Sequence, residues 1–332
     1  MSQRVRAGVI GFGHLGRHHV RLLAEHPLAE LTAVSEVDPT ALDEAVQTVG
    51  VAGFADFREM LPLVDAVSVV VPTQGHLEVA RFFLENGVDV LVEKPIAATT
   101  VEGEAMVAAA RKGGRILQVG HVERFNTALA AIRDLHVVPR YIESNRLAPF
   151  SFRSVDIGVV LDLMIHDLDL VLALVDSPVA SVDAFGGAVF TPAEDMASAI
   201  IKFENGAIAH LTASRVALKP LRRMRLFSRD CYASLDFQGG KGTLIRKNPG
   251  WDFENVDPVD PKEIGDLWQY VFKGLFSVQE LAMDEGNPLR DELTAFLQSV
   301  QDRTEPVVSG EAGCAAVAIA ERVQQAIRAN VW

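Results

Sequence analysis

Short runs rich in Val, Ile, Leu and Ala recur over the first 120 residues, at Val5–Ile10, Leu31–Ser35, Ala66–Val71, Val88–Val92 and Ile116–Val119. Between most of them lie stretches with helical spacing of apolar positions: Leu15–Glu25, Thr40–Val49, His76–Asn86 and Thr100–Lys112. Near-continuous apolar strands separated by helices predict a parallel sheet covered on both faces, a doubly wound α/β domain. After Gly120 the rhythm changes. Helical stretches at Val122–Leu135 and Val159–Val175 give way to strands from Val179 to Ile245. Within these, Asn205-Gly206 separates Ile200–Glu204 from Ala207–Thr212 and predicts a two-residue hairpin turn, since both residues tolerate positive φ. Trp251–Asp266, acidic and rich in proline, reads as a loop, and Leu289–Arg303 and Glu311–Ala329 read as terminal helices. The expected architecture is a doubly wound domain over 1–120 and an α+β domain over 121–332 with an open, mainly antiparallel sheet.

Composition bounds the function more than the fold. The chain has 332 residues, and at roughly 150 residues per domain that agrees with two domains. With 31 Lys+Arg against 44 Asp+Glu the formal charge is −13, which disfavours general nucleic-acid binding. Cys231 and Cys314 are too few for a disulfide framework, and no Cys/His cluster offers a zinc site. There is no signal-peptide pattern and no run of apolar residues long enough to span a bilayer, so a soluble, cytoplasmic protein is expected.

Gly11-Phe12-Gly13-His14-Leu15-Gly16 directly follows the first strand and opens the first helix. A GxGxxG spacing is weak alone, and a tight turn without a ligand could use the same glycines. Its context makes it specific. Gly11 permits the turn, Gly13 lets the backbone approach a pyrophosphate, and Gly16 lets the helix pack closely. N–H groups at the helix start would hold the phosphates. Glu36 lies 20 residues after Gly16, with Asp38 nearby. A carboxylate there accepts hydrogen bonds from ribose hydroxyls and repels a 2′-phosphate, so NAD is expected over NADP.

Ligands of open α/β sheets lie beyond the carboxyl ends of the strands. One such end is Val71-Pro72-Thr73, with His76 a turn further on; another is Val92-Glu93-Lys94-Pro95. Lys94 could be a solvated strand-end lysine paired with Glu93. Beside a nicotinamide pocket it could instead polarise a carbonyl or share a hydroxyl proton. A second constellation, Gly158…Asp162…His166…Asp169, lies in an otherwise apolar helix. Asp162 and His166 are four apart and share a face, where a carboxylate can orient an imidazole acting as acid or base. A satisfied core histidine is the rival reading. A metal site with Asp162 or Asp169 is disfavoured because no second histidine pair completes it.

The glycine loop, Glu93-Lys94-Pro95 and the Gly158…Asp162…His166…Asp169 pattern, in this order, resemble the glucose-fructose oxidoreductase/inositol dehydrogenase/MocA (Gfo/Idh/MocA) family over essentially the whole chain. The resemblance implies a Rossmann domain, a C-terminal α+β domain whose open sheet serves homodimer or homotetramer formation, and NAD-dependent hydride transfer at a sugar or polyol carbon. It also implies that Lys94, His166 and Asp162 are catalytic and that Pro95 follows a cis peptide bond. Gly11, Phe12, Gly13, His14, Leu15, Gly16, Glu36, Pro72, Thr73, His76, Glu93, Lys94 and Pro95 are then the expected cofactor-binding residues. Gly120–Asn126, Ser214–Val216 and Asp230–Asp236 look like the branch that oxidises UDP-N-acetylglucosamine at C3 to a 3-keto sugar for transamination in lipid A or another surface glycan. UDP-N-acetylglucosaminuronate 3-dehydrogenase, a free hexose or inositol dehydrogenase, and a non-catalytic NAD-binding sensor remain alternatives.

One charge pattern fits a nucleotide sugar. The 25 residues between Glu204 and Asp230 contain no acid and six bases, Arg215, Lys219, Arg222, Arg223, Arg225 and Arg229. Such a run could hold a diphosphate, or simply decorate the wet face of a strand. The candidate substrate-binding residues are His121, Glu123, Arg124, Asn126, Arg146, Arg222 and Arg223.

Overall fold

The computed structural model describes residues 4–127, 129, 132, 137–151, 157–248, 275–282 and 286–330. Most of the expected Val122–Leu135 helix beyond Phe125, and the Trp251–Asp266 loop, lie outside them. The chain divides into two compact units, Met1–Phe125 with Asn287–Arg322, and Asn126–Gly286 with Val323–Trp332.

The first unit holds strands β1 (Val5–Ile10), β2 (Ala29–Ser35), β3 (Ala52–Phe54), β4 (Ala66–Val69), β5 (Asp89–Glu93) and β6 (Leu117–Gly120). They form one parallel sheet in the order β3-β2-β1-β4-β5-β6, the order of a Rossmann fold. Helices α1 (His14–Ala24), α2 (Pro39–Val49), α3 (His76–Glu85) and α4 (Thr100–Gly113) connect the strands. Asp38 caps α2 by accepting the Ala41 N–H at 2.8 Å, with Pro39 at its first position. The three-residue edge strand β3 was not among the expected runs, because Ala52-Gly53-Phe54 carries too short an apolar signal. The expected strand Ala66–Val71 ends at Val69, where the chain turns toward Pro72.

Helices α6 (Pro288–Asp302) and α7 (Gly310–Ala329) close the described chain. The sequence reading gave all of 121–332 to the second domain; the fold instead returns Asn287–Arg322 to the first. The reason is hydrophobic. Leu293, Phe296, Leu297 and Val300 of α6 share a buried cluster with Val5, Val20, Leu22 and Leu23.

In the second unit β7 (Tyr141–Leu147) is followed by a π-helical turn, Val160–Met164, that runs into α5 (Ile165–Leu174). Then come β8 (Val179–Gly187), β9 (Met196–Phe203), β10 (Ile208–Ser214), β11 (Leu221–Phe227), β12 (Cys231–Asp236), β13 (Lys241–Lys247) and β14 (Phe276–Ala282). The sheet order is β14-β13-β12-β11-β7-β10-β9-β8, antiparallel except for the β7–β10 pair. Alternation sorts its faces. Ile142, Leu211, Leu226 and Ala233 are buried, while Tyr141, Phe227 and Tyr232 stack on the opposite face, with ring centroids 4.9–5.7 Å apart.

The β9–β10 hairpin forms, but not by the expected two-residue turn. The Gly206 N–H donates to Phe203 O at 2.9 Å and only Gly206, at φ 82°, takes positive φ. This is a longer turn ending in a left-handed glycine, so Asn205 need not be left-handed.

Candidate active site

In the first unit β1 delivers the chain into the glycine loop. Gly11 has φ 96°, and a Cβ there would lie 2.5 Å from Val70 O. A Cβ on Gly16 would lie 2.1 Å from Gly11 O, whereas one on Gly13 would meet open space. The two closed positions set the turn and the open one leaves the backbone approachable. Gly13, His14 and Leu15 are exposed where α1 begins without a side-chain cap, so its first-turn N–H groups suit an anion. Phe12 is buried, with the Arg17 guanidinium 4.5 Å from its ring centroid.

The Glu36 carboxylate is anchored by the Phe12 N–H at 2.7 Å and the Asp38 N–H at 3.0 Å. It lines a cavity of about 460 Å³ together with Gly11, Gly13, Val37, Val71 and Pro72. Glycine loop, acidic strand end and Pro72 therefore meet around one space of a size suited to a small ligand. These groups fit NAD: donors for the pyrophosphate, an acceptor for the ribose hydroxyls, apolar walls beside them. Glu36→Ala is expected to weaken NAD⁺ binding by about 1.5–3 kcal/mol, roughly 10- to 100-fold in Kd by calorimetry. An unchanged Kd would remove Glu36 from the ribose site.

At the end of β5, Glu93 is buried and Lys94 half-buried, and the Lys94–Pro95 peptide is cis. Glu93 Oε1 lies 3.1 Å from His19 Nε2, and the Lys94 N–H donates to Oε2 at 3.2 Å. Burial pushes the Glu93 carboxyl up, but the His19 hydrogen bond and the charges of His19 and Lys94 outweigh it and hold it below the usual carboxylate range. Both ring nitrogens of His76 face backbone carbonyls. It is 1% exposed, with Nδ1 2.9 Å from Pro95 O and 3.2 Å from Ile96 O, and Nε2 3.0 Å from Val71 O. It ties the strand end at Val71 to the loop after Lys94, and Thr73 sits in the short turn before it. Burial pushes its pKa below the usual histidine value, against the pull of those carbonyls.

Beyond β6, the His121 N–H donates to Val119 O at 2.8 Å and the Arg124 N–H to His121 O at 2.9 Å in a tight turn. His121 and Glu123 are buried there, while Arg124 and Asn126 are half-buried. A Cβ on Gly120 would lie 3.0 Å from Glu93 Cδ, so the glycine gives that carboxylate its room.

In the second unit Asp162 lies in the π-turn and His166 one residue into α5, both half-buried. Insertions of this kind are frequent at functional sites because they re-aim side chains within a packed helix. The start of this helix is bolted down. A Cβ on Gly158 would lie 2.0 Å from Glu194 Oε1, and the Val159 N–H donates to Glu194 O at 3.0 Å. Next to Glu194, Asp195 Oδ2 accepts the N–H groups of Val189, Phe190 and Thr191 at 2.7, 2.5 and 2.9 Å. Burial pushes the Asp195 carboxyl up, but these bonds and the Thr191 hydroxyl bring it down to about 2. Arg215 pairs with Asp195 at 3.7 Å and donates through Nη2 to Ile157 O at 2.5 Å, just ahead of Gly158.

The basic residues separate into different roles. Arg146 is 4% exposed and bonds Asp167 through Nε at 2.8 Å and Nη2 at 3.2 Å, with Ser144 Oγ donating to the same carboxylate at 3.0 Å. The pair is a buried strut between β7 and α5. Arg215 is likewise buried, and Arg225 on β11 pairs with Glu143. Lys219, Arg222, Arg223 and Arg229 are exposed, Arg223 with Nε 3.2 Å from Ser234 Oγ. The run was therefore not one patch. Sequence reading also passed over His19, Ser68, Glu194 and Asp195. For His19 a signal existed: it falls three residues after Gly16, on the helix face that Gly16 presses against the glycine loop.

Comparison with known proteins agrees with this geometry. The family model described as "Oxidoreductase family, NAD-binding Rossmann fold" matches residues 5–121, and the one described as "GFO/IDH/MocA C-terminal domain" matches 136–244. The chain is 35% identical over 328 residues, 98% of each chain, to the UDP-N-acetylglucosamine 3-dehydrogenase of Acidithiobacillus ferrooxidans. A solved structure of the enzyme of that name and organism aligns with a TM-score of 0.87 and 34% identity, over 98% of this chain and 99% of that one. The myo-inositol 2-dehydrogenase of Thermotoga maritima is 26% identical over 93% of this chain and 92% of its own. Among the described residues no helix is long and apolar enough to cross a membrane.

Proposed function

Because the chain belongs to the Gfo/Idh/MocA family of NAD-binding oxidoreductases, we propose that it oxidises a sugar CH–OH group, C3 of UDP-N-acetylglucosamine, to the ketone. The observation that carries the substrate is the end-to-end similarity to the Acidithiobacillus enzyme, which spans both units. In the balanced reaction the hydroxyl carbon loses a hydride and its oxygen a proton, giving ketone, NADH and H⁺. NAD⁺ supplies the hydride acceptor when bound; the chain's own groups do the rest. The glycine loop and Glu36 orient the dinucleotide. His166 takes the hydroxyl proton, with Asp162 beside it fixing the ring, and Lys94 hydrogen-bonds the same oxygen and stabilises its developing charge. Lys219, Arg222, Arg223 and Arg229, exposed on β11 or beside it, are the bases of the run left to meet a diphosphate. The aromatic open face of the second sheet is where a second copy of the chain would pack.

The test is NADH absorbance on mixing the protein with NAD⁺ and UDP-N-acetylglucosamine, with an aminotransferase and glutamate drawing off the ketone. NADH with this sugar and not with N-acetylglucosamine or inositol is the expected result. Turnover confined to the uronate, or to a free polyol, would replace the substrate assignment. Tight NAD⁺ binding with no turnover on any of them would favour a sensor.

A further inference from the structure

A buried chain of polar side chains crosses the first unit beneath Lys94. Ser68 Oγ on β4 lies 2.8 Å from His19 Nδ1 on α1, and His19 Nε2 lies 3.1 Å from Glu93 Oε1 at the end of β5. Glu93 Oε2 then accepts the Lys94 N–H. His19 is 0% exposed, Ser68 2% and Glu93 7%. Such a chain is costly to bury unless every member is satisfied. Two of its members are informative: His19 sits on the helix that opens at the glycine loop, and the last link is Lys94, which the proposed reaction sets against the substrate oxygen.

We propose that His19 is a positioning residue for Lys94, holding Glu93 charged and oriented so that the lysine following it keeps both its place and its proton. This rests on the reading that Lys94 takes part in the oxidation. Nε2 faces a carboxylate and so carries a proton; Ser68 fixes the ring by serving Nδ1. The other groups facing Glu93 are Lys94 itself, the His76 ring on α3 and the Gly120 backbone on β6. Both ring nitrogens of His76 face backbone carbonyls, so its ring is committed elsewhere and is a poor substitute for the His19 donor.

Removing the donor leaves a buried carboxylate that is no longer held in place, and once it turns from its position it no longer supports the ammonium of Lys94. Lys94 should then lose its proton at lower pH. The readout is acetylation of Lys94 by a water-soluble amine reagent as a function of pH, followed by peptide mass spectrometry on NAD⁺-bound protein, alongside kcat. In His19→Ala the half-labelling pH should fall by about one unit and kcat about tenfold, with the NAD⁺ Kd unchanged. His19→Gln, whose amide can donate from the Nε2 position, should restore both. His19→Asn, too short to reach Glu93, should behave as alanine, and this pair carries the test if the alanine variant does not fold. A labelling curve that stays put in the alanine or asparagine variant, or a glutamine variant as impaired as either, overturns the proposal. The labelling needs no substrate, so it reads the coupling even where the assigned sugar is not turned over.

Discussion

Replacing Lys94 or His166 by alanine is expected to lower kcat by about 10²- to 10⁴-fold, the usual contribution of a positioned acid–base group. NAD⁺ affinity should stay within about threefold, because the glycine loop and Glu36 hold the dinucleotide without either side chain. The reaction proposed above, in which both groups serve one oxygen, also predicts losses that are less than multiplicative in the double variant. Stopped-flow NADH formation with the best substrate from the panel, next to calorimetric NAD⁺ binding, separates the effects. A variant that keeps wild-type turnover removes that residue from the chemistry. Equal loss of cofactor binding and rate would instead make it a scaffold for the cavity.

The second large effect is on stability. Asp195→Ala should lower the melting temperature by roughly 6–20 °C, from about 3–5 kcal/mol lost when a buried partner charge is left unpaired. Three backbone N–H groups and the Arg215 guanidinium would lose their acceptor at once. Because the folded carboxyl titrates at about 2, below its ordinary 3.8, its contribution is complete above 3.8 and is lost as pH falls toward 2. Scanning calorimetry should therefore show the variant and the parent converging at the acid end of that window. A shift under about 1 °C at neutral pH would mean that solvent replaces the carboxylate, and Asp195 would then not be a bolt for the helix of Asp162 and His166.

Local signals were legible in the sequence; pairings between distant residues were not. The glycine loop, Glu36 and Glu93-Lys94-Pro95 announce themselves because strand, turn and motif are contiguous. The Rossmann strands are buried on both faces and so appear as plain apolar runs, save β3, which is three residues long at the sheet edge. By contrast, His19 meets Glu93 across 74 residues and Arg215 reaches Ile157 across 58, and no periodicity marks either contact. The basic run divides for a related reason. Its charges count alike in sequence, yet buried Asp195 takes Arg215 inward just past β10, Glu143 on β7 pairs with Arg225, and Arg222 and Arg223 stay exposed at the start of β11. Arg146 is a like case: its partner Asp167, also buried, lies 21 residues on, with nothing in the sequence to mark the pair. The contacts of His76 with the carbonyls of Val71, Pro95 and Ile96 are equally silent in sequence, because they depend on how the Lys94 loop folds back.

The return of α6 to the first unit has a consequence for how the chain is made. Leu293, Phe296 and Leu297 cover part of the same core as Val5, Val20 and Leu23. Ribosomes add roughly 5–20 residues per second, so about ten to thirty-five seconds pass between emergence of Phe125 and of α6. Throughout that time the nascent cofactor domain presents an uncovered apolar strip that only a segment made after Gly286 can seal. Because the second unit in turn takes Val323–Trp332, neither unit is complete until chain made after most of the other has emerged.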